Sequence, residues 1–210
     1  MTNINNEKNK SLLINHENSQ KGFPSFVKGG PSLKYYQQII CQDLLLKQSY
    51  NNVMELPSIN KINLNTSSHL FVQDKKYILP ALVALEFITG QKIKYTSAKK
   101  SIATFKIRQD QILGCKITLR NEYMYNFLSK FLVIIAPRIR DFSGITRKNK
   151  QNLHFTVGIK NLMIFPELEN HFELFETCKG LNITFCISSK KANDALLLYS
   201  AFQLPISISL

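Results

Sequence analysis

The sequence predicts an α+β fold: a single domain with a mostly antiparallel sheet, helices packed on one face of that sheet, a polar opposite face and a flexible N-terminal extension. Three observations support this prediction. The 210 residues, 44% of them hydrophobic, suit one globular domain with a proper core. Segments with strand and helix patterns are interspersed without a sustained βαβ rhythm. Two strand segments alternate apolar and polar residues, as strands with one buried face do.

Residues 1–34 are predicted to be an extension and residues 35–210 the domain. The extension is polar, rich in Asn, Lys and Ser, and closes with the run Lys-Gly-Gly-Pro-Ser at positions 28–32. A segment of this composition buries too little apolar surface to offset the entropy of ordering it. We therefore expect it to be flexible until it is bound.

Four segments are predicted to be helices from the spacing of their apolar residues and from the residues that begin or end them. They run from Leu33 to Tyr50, from about Lys75 to Thr89, from Asn121 to Pro137 and from Lys191 to Phe202. Asp74 and Asn121 are expected to cap helices, Gly90 to follow one in the left-handed region, and Pro137 to stop one. The side chains expected to face the core are Tyr36, Ile39, Ile40 and Leu44; Leu79, Leu82, Val83, Leu85 and Phe87; and Met124, Phe127, Leu128, Phe131, Leu132 and Ile135.

Five segments are predicted to be strands, with a basic loop from Arg138 to Asn152 before the fourth. The strands run from Ile59 to Asn65, Ile93 to Thr96, Ile112 to Arg120, Phe155 to Lys160 and Leu181 to Ile187. The first and third place polar side chains on one face, namely Lys61, Asn63 and Asn65, and Lys116, Thr118 and Arg120. If these two strands are neighbours, their polar faces merge into one platform. A solvated outer sheet face is the plain alternative.

The charge of the chain favours a polyanionic partner. Its 27 Lys and Arg against 14 Asp and Glu give a net charge of +13, and the pI is near 9.6. An anionic membrane is disfavoured, since the apolar run Phe131–Ala136 is far shorter than the roughly 20 residues that span a bilayer. Nucleic acid remains. Without an exposed aromatic pair for stacking bases, the platform suits folded RNA recognised by shape more than an extended single strand.

One basic segment, Ile88–Arg108, strengthens this interpretation. It is dense in Lys and contains no acidic residue. Gly90, Gln91, Tyr95 and Phe105 lie among its cations, where a merely solvated lysine run would not need them. A surface that binds a polyanion and also recognises its shape would use such a mixture.

No enzyme, metal site or cofactor is predicted. The sequence contains no glycine-rich phosphate loop, carboxylate pair, or nucleophile beside a His at a telling spacing. Glu167 and Glu169 follow Pro166 in a turn, where solvation or local hydrogen bonding explains them. The cysteines are scattered and are expected to be reduced, buried thiols: Cys41, Cys115, Cys178 and Cys186.

The composition also suggests where the protein is made. The chain is rich in Asn, Ile, Lys, Phe and Tyr, as AT-rich coding produces, and has no Arg before Arg108. A transit peptide for import into an organelle would be rich in Arg. We expect a protein made inside an organelle.

Several stretches resemble the bacterial-type large-subunit ribosomal protein L5 family. They occur in the family's order between about Tyr35 and Ile206. They are Asn52–Asn65, Ile88–Arg108, Gly114–Arg120, Ala136–Gly144, Ile164–Glu167, Lys179–Thr184 and Ala201–Pro205. The resemblance implies a structural protein of the central protuberance. It would bind 5S rRNA and adjacent large-subunit rRNA, contact the elbow of P-site tRNA, bridge to a protein of the small-subunit head and lie beside other central-protuberance proteins.

The resemblance also assigns residues. The family's rRNA-contacting positions fall on Asn65, Gln91, Thr118 and Arg120; with the remaining platform residues, the predicted rRNA-binding set is Lys61, Asn63, Asn65, Gln91, Lys116, Thr118 and Arg120. The tRNA loop corresponds to Ser101–Gln109, and its predicted contacts are Lys99, Lys100, Phe105, Lys106 and Arg108, the last three at the tip. The predicted bridge residues are Arg138, Arg140, Arg147, Lys148 and Lys150.

Departures from the family point to an organellar ribosome, mitochondrial before plastid. Thr66–His69 replaces a Gly-rich turn, and Lys148–His154 lacks the family's Gly-Arg-Gly. Residues 1–34 have no bacterial counterpart. An RNA-binding regulator or RNA chaperone outside the ribosome is the alternative function.

Overall fold

A computed structural model describes residues 31–140, 142, 144–146 and 154–207, and its centre is one antiparallel sheet. The strands in chain order are β1 (Ser58–Ser67), β2 (Lys94–Ser97), β3 (Ile112–Leu119), β4 (Ile145–Thr146), β5 (Phe155–Asn161), β6 (Lys179–Ser188) and β7 (Ile206–Ser207). Five of them form the sheet in the order β2-β3-β1-β6-β5. The other two, β4 and β7, form a short parallel pair. The prediction of an α+β fold with a mostly antiparallel sheet is confirmed.

Seven helical segments accompany the sheet in the described part of the chain, several of them with irregular turns. They are α1 (Pro31–Tyr35, Tyr36–Ile40 and Cys41–Lys47, continuous), α2 (Leu70–Gln73), α3 (Ile78–Thr89), α4 (Asn121–Lys130, Phe131–Ile135 and Ala136–Arg138, continuous), α5 (Pro166–Glu169), α6 (Phe172–Phe175) and α7 (Ala192–Ala201). The middle stretches of α1 and α4 are π-helical. Short 3₁₀ turns lie at Val53–Glu55, Lys75–Tyr77, Ala103–Phe105 and Leu162–Ile164.

The core lies between the apolar face of the sheet and the helices. Ile62, Leu64 and Leu119 on that face are inaccessible to solvent. The Phe131 ring of α4 meets the Phe185 ring of β6 edge-on, with centroids 5.5 Å apart. The Tyr199 hydroxyl of α7 donates a 3.3 Å hydrogen bond to the Phe185 carbonyl. The helices therefore cover one face and leave the other free, as predicted.

The face that α3 buries differs from the prediction. Of the five residues expected inside, Leu85 is buried, Leu82 is half-buried, and Leu79, Val83 and Phe87 are exposed. The inner face instead uses Ile78, Ala81, Ala84, Leu85 and Ile88. Because this helix is apolar almost all round, its periodicity could not select a face. The two alanines allow a closer approach to the sheet than a row of leucines would.

Several predicted helix boundaries are wrong by a turn or less. The first helix spans Pro31 to Lys47 rather than Leu33 to Tyr50, and its π turn leaves Ile39 exposed while Ile40 and Leu44 are buried. Asp74 precedes a 3₁₀ turn and makes no side-chain cap bond; the α-helix begins at Ile78. Pro137 does not stop α4. It lies in the first turn of the short α-helical stretch that follows the π turn, a position where proline is tolerated, and α4 ends at Arg138.

Asn121 also departs from the cap expected of it. Arg120 occupies the cap position without a side-chain cap bond, and Asn121 has a left-handed φ of 50°. Asparagine adopts left-handed backbone angles more readily than most residues. Asn121 therefore suits this turn through its backbone conformation, and its side chain does not cap the helix. The expected C′ position of Gly90, by contrast, is confirmed by a φ of 66°.

The segment predicted as a basic loop contains regular structure at its start and middle. Arg138 ends α4, and Ile145–Thr146 pairs in parallel with Ile206–Ser207. Residues 147–152 lie outside the described residues, and so does the predicted extension except for its last four residues, which belong to α1. Glu167 and Glu169, expected in a turn, lie in α5 and pair with Lys130 and Arg138.

The four cysteines are free thiols, three buried and Cys41 half-buried. Burial raises the pKa of the Cys115 thiol to about 11, because desolvation penalises the thiolate. Such thiols are inert packing residues. Within the described ranges, no cluster of His, Cys, Asp and Glu could hold a metal ion, and no helix is long and apolar enough to cross a membrane.

Candidate nucleic-acid interface

The two polar strand faces predicted from alternation do lie side by side. β1 pairs with β3 so that Asn63 is opposite Thr118 and Asn65 is opposite Lys116. Lys116 and Thr118 are exposed, and the two asparagines are half-buried. The condition for a single platform, that these strands be neighbours, is therefore met.

Two further strands widen this surface, and their contribution was not predicted. On β6, Asn182 lies opposite Asn65 and Thr184 lies opposite Asn63. On β5, Thr156 is paired with Thr184. We call these polar side chains of the outer face the polar platform: Lys61, Asn63, Asn65, Lys116, Thr118, Arg120, Thr156, Asn182 and Thr184. The alternation along Leu181–Ile187 could have predicted this contribution, because Asn182 and Thr184 lie between apolar residues.

Hydrogen bonds across the strands hold part of the platform in place. The Thr118 hydroxyl donates to the Asn63 amide oxygen at 3.0 Å, and the Thr156 and Thr184 hydroxyl oxygens lie 3.1 Å apart. The Asn63 amide nitrogen lies 3.8 Å from the Cys186 sulfur. Asn63 is thus occupied within the protein. Asn65, Lys116 and Asn182 make no side-chain hydrogen bond to another described residue, so their polar groups are available to a ligand.

Gln91, which precedes β2, lies beside one end of the platform, although no alternation pattern indicated this. It lines a surface concavity of about 540 Å³ together with Thr118, Arg120, Asn121, Glu122 and Tyr123. The left-handed turn at Gly90 places Gln91 beside the last residues of β3. Three of the four positions assigned by the family resemblance therefore surround one concavity.

The predicted tRNA loop is the connection between β2 and β3. Two backbone hydrogen bonds between Ile102 and Ile107, one in each direction, close this loop, with N···O distances of 2.9 and 3.1 Å. Phe105 is 68% exposed and Lys106 is left-handed, so both lie at the tip. Arg108 lies outside the closing pair, nearer the base than the tip. Lys99 and Lys100 are exposed before the loop begins.

The side chain of Gln111 fixes the base of this loop. Its amide oxygen accepts from the Arg108 backbone N–H at 3.0 Å, and its amide nitrogen donates to the Val72 carbonyl at 2.8 Å. Because β3 rises about 3.3 Å per residue, the eight steps between Ile112 and Arg120 separate the loop base from the Gln91 concavity by about 26 Å. The loop and the platform can therefore serve two different partners.

The predicted bridge residues are only partly described. Arg138 forms an ion pair with Glu169 and donates a 3.4 Å hydrogen bond to the Ile164 carbonyl. Its guanidinium is therefore already paired with groups of the same chain. Arg140 is exposed and lines a concavity of about 550 Å³ beside Gly158 and Lys160 of β5. Arg147, Lys148 and Lys150 lie outside the described residues.

Comparison with known proteins identifies the family. Two family profiles match consecutive parts of the chain: the profile described as "Ribosomal protein L5" matches residues 52–108, and the profile for the C-terminus of the ribosomal L5 family matches residues 112–206. The chain belongs to the ribosomal protein L5 family. It is therefore a structural ribosomal protein and not an enzyme, as predicted from the sequence.

Three curated relatives agree with this assignment. "Large ribosomal subunit protein uL5m" of Prototheca wickerhamii is 50% identical over 188 residues, which cover 82% of this chain and 81% of the relative. The protein of the same name in Reclinomonas americana is 43% identical, covering 83% and 96%. "Large ribosomal subunit protein uL5" of Nitrosomonas europaea is also 43% identical, covering 82% and 96%. Two of these three L5 proteins carry the mitochondrial name, which supports a mitochondrial location.

Proposed function

We propose that this L5 protein is a structural constituent of the large subunit of a mitochondrial ribosome, where its polar platform binds rRNA. The rRNA would be 5S rRNA, where the organelle has it, and the adjoining large-subunit rRNA. The observation that carries this proposal is the merging of four strands into one exposed polar face, in a chain of net charge +13. Amides and hydroxyls can bond ribose and base edges, while Lys and Arg neutralise phosphates.

Binding of the purified protein to 5S rRNA is expected to depend strongly on salt. Each phosphate neutralised contributes a slope of about −0.7 to −0.9 in log K against log salt. Lys61, Lys116 and Arg120 together should therefore give a slope of about −2 or steeper. Fluorescence anisotropy at a series of KCl concentrations measures this slope. A flat response would contradict phosphate binding. A large-subunit rRNA fragment, titrated in parallel, shows which RNA is preferred.

Two further contacts belong to the same proposal. The Ser101–Gln109 loop would touch the elbow of P-site tRNA through Phe105 and Lys106, which its closed geometry presents to solvent. The exposed Arg140 and the basic residues after it would bridge to the small-subunit head. A structure of the assembled ribosome with P-site tRNA tests both placements, and finding either segment away from its partner would reject that contact.

We also propose that the protein is encoded and made in the mitochondrion, with the plastid as the alternative compartment. The Asn-, Ile- and Lys-rich composition and the absence of Arg before Arg108 support synthesis within an organelle. Pulse labelling during selective inhibition of organellar translation tests this. Continued synthesis under that inhibition would contradict it.

A further inference from the structure

An apolar stripe runs along the outer side of α3, away from the sheet. Leu79, Val83 and Phe87 recur every fourth residue and are 64%, 41% and 39% exposed. Residues four apart lie on one face of a helix, so the three form a continuous row. The opposite side of α3 is buried in the core. The outer sides of these three side chains are therefore left uncovered in the isolated protein.

The stripe continues into α6. The Phe87 ring lies 6.3 Å from the His171 ring, nearly parallel to it, and 6.1 Å from the Phe175 ring, edge-on. Between these two contacts in sequence, Phe172 and Leu174 are 54% and 62% exposed. Two separate elements thus present apolar side chains on one surface. We call Leu79, Val83, Phe87, Phe172 and Leu174 the apolar patch. Clustered exposed apolar residues commonly mark an interaction site.

The charge around the patch is opposite to that of the rest of the chain. Residues 78–91 and 161–178 contain five Glu and neither Lys nor Arg, whereas the whole chain has a net charge of +13. Two of these carboxylates pair with Lys130 and Arg138. The other three, Glu86, Glu173 and Glu176, are exposed and form no ion pair with a described residue. Lys75 and Lys76 lie at the far end of the stripe, before Leu79.

We propose that the apolar patch docks a segment of a neighbouring protein that presents apolar side chains flanked by Lys or Arg. RNA is a poor occupant, because the free carboxylates would repel its phosphates. The cation near Phe87, Lys130, donates to the Ile88 carbonyl and is already paired with Glu167. A basic protein segment complements both properties, since its apolar side chains cover the stripe and its cations meet the carboxylates. This inference rests on the proposed function only in placing the protein in the ribosome.

Site-specific photo-cross-linking tests the occupant. A photoreactive amino acid replaces Val83 in the full-length protein, large subunits are purified after illumination, and the cross-linked peptide is identified by mass spectrometry. We expect a peptide of another protein with Lys or Arg beside apolar residues. A cross-link to rRNA, to a second copy of this chain or to nothing would overturn the proposal. The same probe at Thr156 on the platform should reach rRNA, and this second result tests the proposed function separately.

A matched pair of variants tests the energetic contribution of the patch. Leu79→Ser with Val83→Ser should reduce the fraction retained on large subunits after a high-salt wash about tenfold, as loss of a central apolar contact does. High salt screens phosphate contacts and ion pairs and leaves apolar contacts, so retention after the wash reports the apolar part of this interface. The control, Leu46→Ser with Met54→Ser, removes two apolar side chains that are even more exposed elsewhere. Equal retention of the two variants would overturn the proposal. Melting temperatures of both variants show that neither loses retention by unfolding.

Discussion

Reversing two charges on the platform, with Lys116→Glu and Arg120→Glu, is expected to weaken binding to rRNA by about a thousandfold at moderate salt. Losing one charge-assisted bond, as in Arg120→Ala alone, costs about 1–3 kcal/mol. The double reversal removes two such bonds and adds two carboxylates facing phosphates. Both side chains are exposed, so the fold should be retained. Binding is measured by anisotropy, and folding by circular dichroism.

The control for this prediction must change the net charge equally. Lys75→Glu with Lys76→Glu does so, taking the chain from +13 to 13 − 4 = +9 as the platform variant does. These lysines are exposed in the turn before α3, on the helical side of the sheet. We expect the control to weaken binding by about tenfold at most, through long-range attraction alone. If both variants lost affinity equally, binding would depend on total charge and the platform would have no special role.

The sheet was predictable because alternation along a strand specifies its two faces directly. Ile62 and Leu64 against Asn63 and Asn65 need no knowledge of the rest of the fold, and the structure places them as expected. The helix face of α3 was not predictable in this way. Its residues are apolar on almost all sides, and the structure buries Ala84 while it leaves Val83 exposed. Tertiary packing, not local pattern, decides it.

The interface was predictable in part for a similar reason. Polar alternation identified Lys61, Asn63, Lys116 and Thr118 strand by strand. The concavity that joins Gln91 to Arg120 depends on the turn at Gly90 and on which strands are neighbours. The pattern of one sequence segment does not predict either of these. The family resemblance supplied Gln91 instead. The apolar patch was not predicted, because Leu79, Val83 and Phe87 were expected to face the core.

Replacing Gly114 by alanine is expected to lower the free energy of unfolding by about 1–3 kcal/mol, the cost of overpacking a close contact. Gly114 lies on β3 between two partners, opposite Ser67 on β1 and Thr96 on β2. A Cβ there would come within 2.5 Å of the Thr66 carbonyl oxygen and 3.0 Å of the Ser67 Cβ. The first atom belongs to the backbone of a central strand, so it can move only if the β1–β3 ladder moves. Urea unfolding measures the loss.

Gly158→Ala separates this steric effect from the general effect of the substitution. Gly158 is also a strand glycine on the outer face, but a Cβ there meets Asn182 Oδ1 at 3.5 Å, an ordinary contact. Where the backbone is unstrained, alanine for glycine stabilises by about 0.4–1 kcal/mol, because it restricts the unfolded chain. The two variants should therefore shift stability in opposite directions. Equal stabilisation by both would show that β1 and β3 can separate freely at Gly114. Their close approach would then not be what holds Lys116 opposite Asn65 on the platform.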